Sequence, residues 1–149
     1  MTVPVKFPTV LPADVEAVAQ FFYNELMDPT PVATRLPRPA DTDDTVHGFL
    51  RVEAGDISPL LEFRSVAWDL SFLIHAFSPN EIEAADIIGK AMALAASAHF
   101  QTIITERGKY YIVDVVNVIG GHRLPEPRVP DLTRYRAAVT WRVTGTITE

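Results

Sequence analysis

Apolar residues recur along this chain with two different periods, and the switches between them divide it into elements. Over 13–27 (ADVEAVAQFFYNELM), Val15, Val18, Ala19, Phe22 and Leu26 fall at i, i+3, i+4, i+7 and i+11, the spacing of one helical face. Pro12 suits the first turn of that helix, while Asp14 and Glu16 favour its positive end. Pro29 stops it, because a proline pushes the preceding residue out of the helical region. The prolines at 29, 31, 37 and 39 leave room only for a short edge strand in VATRL (32–36). ADTDDT (40–45) reads as a solvated loop. HGFLRVE (47–53) reads as a strand closed by Gly55, and 56–63 fits either a turn or a short helix.

Residues 64–76 (RSVAWDLSFLIHA) change to period two. Val66, Trp68, Leu70, Phe72, Ile74 and Ala76 share one face, with Ala67, Asp69, Ser71, Leu73 and His75 on the other. Ser78-Pro79-Asn80-Glu81 then has the form of a capping box with proline at the first helical position. The helix it opens is rich in alanine and extends to about His99 or Phe100. Ile82, Ala85, Met92 and Ala95 form one apolar stripe, and Ile87, Ala91, Leu94 and Ala98 lie beside it. Asp86 and Lys90 can pair on the exposed face. QTIITE (101–106) is a short strand followed by a turn at Arg107-Gly108. KYYIVDVVNVI (109–119) is β-prone and apolar on both faces, which places it centrally in a sheet. The stretch 120–133 (GGHRLPEPRVPDLT) has no period and reads as a long connector. A final strand over 134–147 turns Tyr135, Ala137, Val139, Trp141 and Val143 inward.

The order helix, strands, helix, strands predicts an α+β fold. It consists of a mostly antiparallel sheet of four to five strands with two main helices packed on it. At 149 residues the chain forms one domain, 1–149. No run of about 18 apolar residues occurs, so no membrane span is expected, and the N-terminus lacks the pattern of a secretory signal. There are no cysteines, hence neither disulfides nor thiolate metal sites. The formal net charge of -6 and the scattered arginines disfavour nucleic-acid binding, which clusters cations against phosphates. A 48% apolar share and a mean hydropathy of +0.11 leave open whether some apolar surface is buried between chains.

Familiar chemistry does not emerge from the motifs. His75 has no ligand partner at metal spacing and reads as a structural ring at the sheet–helix junction. His47, His99 and His122 form no zinc pattern with it. Asp41-Thr42-Asp43-Asp44 resembles the opening of a calcium loop, but its sixth position is Val46 and its twelfth is Val52. Gly120-Gly121 follows a strand as phosphate loops do, yet prolines rather than a helix come next. No nucleophile elbow is present, Glu81 is accounted for by the cap, and Trp68 and Trp141 sit at inward strand positions. The reading is that of a non-enzyme with no cofactor and no metal.

Three blocks together resemble the tail terminator proteins of long-tailed, non-contractile bacteriophages, especially those of actinobacterial hosts. They are the end of the first helix (NELMDPTPVATRLP), the strand-to-helix passage (WDLSFLIHAFSPNEIEAADIIGKAMALA) and the closing block (VNVIGGHRLPEPRVPDLTRYRAAVTWRVTG). The resemblance spans nearly the whole chain and contains no catalytic fingerprint. It implies a homo-oligomer, a hexameric ring of α/β subunits at the head-proximal end of the tail. The ring halts polymerisation of the major tail tube protein and docks to the neck or connector protein. DNA passes through it without sequence-specific binding. The implied location is the virion, at the neck region of the tail, after assembly in the host cytoplasm.

A ring needs a head-to-tail interface that closes, and long irregular segments on a rigid sheet suit it. The candidate interface residues are Arg35 in the first proline-rich segment and Arg123, Leu124, Arg128 and Val129 in the second. Asp41, Asp43 and Asp44 are candidates for a channel lining that repels DNA; an outward solvated loop explains them equally well. Two other readings stay open. One is another neck or head-completion protein. The other is a small α+β enzyme or ligand-binding domain, with a pocket between the second helix and the sheet near His75 and Asp114.

Overall fold

Two helices lie against one face of a six-stranded sheet, and a two-stranded ribbon lies beside it. The computed structural model describes residues 9–35, 48–60, 67–124 and 132–148. Along the chain run β1 (Thr9–Leu11), α1 (Val15–Leu26), β2 (Val32–Ala33), β3 (Phe49–Pro59), β4 (Ala67–Ser78), α2 (Glu81–Ala96), β5 (Thr102–Thr105), β6 (Gly108–Leu124), β7 (Thr133–Thr144) and β8 (Thr146–Thr148). The main sheet has the order β2-β3-β4-β7-β6-β5. It is antiparallel except for the short β2–β3 pair, which is parallel. The α+β class and the two helices agree with the sequence; the strands outnumber the four to five expected. What was read as one closing strand breaks at Gly145, and its last residues pair with β1 instead of continuing the sheet.

The core lies between the helices and the face of the sheet that carries Leu70, Phe72, Ile74, Val139, Trp141 and Val143. Trp141 is its centre. Its ring meets Phe22 and Phe72 edge-on at 4.8 Å each, and its indole N–H donates to the Ala95 carbonyl at 3.1 Å. Tyr23 is fully buried and donates from its hydroxyl to the Ala91 carbonyl of α2, tying the two helices together. Burial pushes the Tyr23 phenol far above its ordinary pKa, so it stays a neutral donor.

Both helices are rotated slightly from their expected faces. In α1, Tyr23 and Met27 are buried while Leu26 is exposed. The N-cap is Asp14, whose carboxylate accepts from the Ala17 amide, so Pro12 lies before the helix. In α2 the buried stripe is Ala84, Ile87, Ile88, Ala91 and Ala95, and Ile82 stands in solvent. The cause is at the cap. β4 runs on through Ser78, so Asn80 becomes the N-cap and accepts from the Ile82 and Glu83 amides. Ser78 Oγ accepts from the Asn80 amide, which leaves Glu81 free of the capping box. The helix also stops at Ala96, short of His99, with the Ser97 amide bonded back to the Ala93 and Leu94 carbonyls.

Two strands run further than their glycines suggested. β3 passes through Gly55 by a bulge between Ala54 and Ile57 and continues to Pro59. β6 passes through Gly120 and Gly121, both at positive φ, with a bulge between Gly120 and His122. Gly120 has no room for a side chain, since a Cβ there would lie 2.5 Å from Ala137 Cα. β6 is therefore 17 residues long, and the expected connector shrinks from its N-terminal side. It is not central: it lies second from the border of the sheet, with only short β5 outside it.

Candidate functional site

The helix-free face of the sheet carries polar side chains arranged in cross-strand rows. Asp69 of β4, Arg142 of β7 and Asp114 of β6 make one row. The Arg142 guanidinium donates to both Asp69 oxygens, from Nε at 2.9 Å and from Nη2 at 3.4 Å. Ser71 and Thr140 share a hydroxyl hydrogen bond of 2.9 Å in the next polar row. Further along, Arg51, His75, Arg136 and His122 align across four strands. At the far end Phe49 stacks on Phe77 at 4.9 Å, and Leu132 completes a second small apolar cluster on this face.

His75 is buried and partnered, as expected for a structural ring, but by a residue the sequence did not single out. Its Nε2 lies 2.8 Å from the Glu53 carboxylate, and Arg51 Nη1 is 3.7 Å from the same oxygen. Nδ1 is buried with no partner. Burial pushes the His75 pKa down, and the hydrogen bond to Glu53 opposes that shift without reversing it. The Glu53 carboxyl is lowered in turn, chiefly by the bond from His75.

The sign of the resulting pH dependence follows from linkage. An unfolded histidine protonates near pH ~6.5, and the folded ring resists that proton to lower pH. The stabilisation is whole above that value and declines as pH falls through it. Glu53 acts with the same sign at lower pH, below the ordinary carboxylate range. The urea midpoint of the wild type should therefore fall between pH 7.5 and 5.5. His75→Gln keeps a donor for Glu53 but cannot titrate, so it should lose part of that slope. An unchanged slope would contradict this account of the ring.

His75 and Asp114 do not share a pocket. Both belong to rows of the helix-free face, not to the space between α2 and the sheet. Their β7 neighbours, Arg136 and Arg142, are six residues apart, or ~20 Å at about 3.3 Å per residue. Asp114 instead accepts from His99 Nε2 at 3.1 Å, just beyond the end of α2. A cleft of about 470 Å³ lies elsewhere, between α1 and the β5–β6 turn. Asp14, Phe21, Ile104, Glu106 and Arg107 help to line it. Among the described residues, no three His, Asp or Glu side chains converge as metal ligands, and no helix is long and apolar enough to cross a membrane.

The candidate interface residues are scattered. Arg35 is exposed just after β2. Arg123 and Leu124 close β6, so they belong to a strand and not to a loop. Arg123 Nη1 donates to Glu81 Oε1 at 2.7 Å, giving that carboxylate a partner in place of the capping box. Arg128 and Val129, like Asp41, Asp43 and Asp44, lie outside the described residues.

The feature that sequence reasoning missed is on β6. Tyr111, Val113, Val116 and Ile119 are all exposed, Ile119 at 56%, along a single strand. Its signal was present, in a strand apolar on both faces. That pattern fits burial on both sides, and it also fits a border strand whose partner is another chain.

The fold is thus a two-helix α+β domain in which β6, second from one border of the sheet, carries four exposed apolar residues. No protein-family model matches the chain, and no curated protein sequence matches it.

Proposed function

We propose that this protein is a structural subunit of a bacteriophage tail. It forms a homo-oligomeric ring, a hexamer in the tail terminators it resembles, on the head-proximal end of the tail tube. There it stops tube polymerisation and joins the tail to the neck connector, and DNA crosses the ring without sequence-specific contacts. The observation that carries this reading is the exposed apolar strip along β6. Apolar side chains on a long, rigid strand suit a permanent contact between subunits better than a soluble monomer's surface. The polar rows of the helix-free face support it too, because Asp69, Arg142, Ser71 and Thr140 satisfy one another there.

Electron microscopy of tube protein polymerised with and without this chain tests the reading. With the chain present, tubes should be short and carry a ring at one end. Tubes of undiminished length, together with a strictly monomeric protein that never binds them, would rule the assignment out.

A further inference from the structure

Among the described residues, each border of the sheet has a stretch that no further strand accompanies, and the two stretches match. On one side β2 pairs with β3 only at Leu50 and Arg51, so β3 from Glu53 to Pro59 has no described neighbour outside it. On the other side β5 accompanies β6 through Tyr111. Backbone bonds from Phe100 and Gln101 reach as far as Ile112, and no described strand lies outside β6 beyond that.

The strand register places these open stretches at the same height. Glu53, Leu73, Ala138 and Ile119 form one row across β3, β4, β7 and β6; Ile57, Leu70, Trp141 and Val115 form another; Pro59, Trp68, Val143 and Ile112 form a third. Because three successive pairings are antiparallel, β3 and β6 run in opposite directions. Both borders also bend at one level. The β3 bulge falls opposite Ser71, and a β6 bulge falls between Val115 and Asn117, next to the same row.

We infer that β6 of one copy pairs antiparallel with β3 of the next, between Asp114–Ile119 and Glu53–Ser58, so that the sheet runs on from subunit to subunit. The inference rests on the ring reading and names its contact. A copy carried sideways along the sheet brings an oppositely directed strand to β6 and keeps the helices on the same side. Ile57, itself 43% exposed, then comes level with Val115 and Val116. Glu53 and Asp56 come level with uncharged Asn117 and Ile119, so no like charges oppose at those rows. Pro59 has no amide hydrogen to offer and marks the end of the ladder. Leu60, next in line, turns its amide inward to the Ala67 carbonyl. A two-fold contact between two β6 strands would leave both β3 borders open. A closed head-to-tail ring leaves neither open, which removes the aggregation hazard of a bare apolar border.

The chain has no cysteine of its own, so cross-links report only introduced ones. Ile57→Cys and Val116→Cys replace exposed side chains on opposite borders. The double variant, treated with a short bis-maleimide, should give a ladder of covalent multimers that ends at the ring size found by native mass spectrometry. The two single variants mixed should give only the heterodimer. Homodimers of Val116→Cys alone would replace the head-to-tail contact with a two-fold one and overturn the inference. Native rings without any 57–116 cross-link, in either the double variant or the mixture, would sink this contact while leaving the ring intact. A monomer that shows neither rings nor cross-links would sink both.

Discussion

Trp141→Ala should lower the melting temperature by roughly 10 °C. The indole is wholly buried, edge-on to Phe22 from α1 and to Phe72 from β4, and hydrogen-bonded to the Ala95 carbonyl of α2. Removing it leaves a cavity where both helices meet the sheet and strips the Ala95 carbonyl of one donor, leaving it the Ala98 amide at 3.3 Å. Large-to-alanine changes of this kind cost ~3–5 kcal/mol, and a domain of this size loses about 2–4 °C per kcal/mol. Trp141→Phe should recover most of the ring packing but not the N–H bond. It should fall between the two, within about 1–2 kcal/mol of wild type. Thermal melts followed by near-ultraviolet circular dichroism separate these outcomes. Equal losses for both variants would mean that the hydrogen bond, and not the packing, dominates.

Gly120→Ala should be the second most damaging single change. Its backbone lies at φ 139°, where a side chain is strained, and a Cβ would come within 2.5 Å of Ala137 Cα and 2.8 Å of the Arg136 carbonyl oxygen. Both obstacles are backbone of β7, so relief requires the strands to part. The expected cost is about 3 kcal/mol, strain and overpacking together. Gly121→Ala meets only the Met92 sulfur at 3.6 Å and should cost less, chiefly through its φ of 86°. Urea unfolding of the two variants side by side checks the ranking. If Gly121→Ala is the worse of the two, close packing between β6 and β7 is not what requires glycine at 120.

Much of this fold was legible because much of it buries one face only. α1, β4 and β7 show clean periods, and their buried residues are close to those the pattern names. Errors arose where two local rules competed. Ser78 and Asn80 can each cap α2, and the longer strand claimed Ser78 for β4. Gly55 and the Gly120-Gly121 pair look like strand ends, but a bulge lets a strand continue through such residues. β1 and β8 are three residues each, too short to show a period.

The candidate site was less legible for a different reason. A side chain's partner across a sheet is set by register, and register is invisible in one sequence. Glu53 and His75 are 22 positions apart, and only the β3–β4 pairing brings them together. The β4–β7 and β6–β7 registers separate His75 from Asp114. The apolar character of β6 was visible, but the rule that apolar on both faces means central assumes that every partner is in the same chain.

The β1–β8 ribbon sets an order of events during synthesis. Thr9 faces Thr148, so the first described strand has no mate until the last described strand has been made. A ribosome-bound chain can close the Trp141 core only once β7 has emerged, and it can zip this ribbon only once β8 has followed. A newly made chain therefore passes through a stage in which β1 is unpaired while the sheet that follows it is already built.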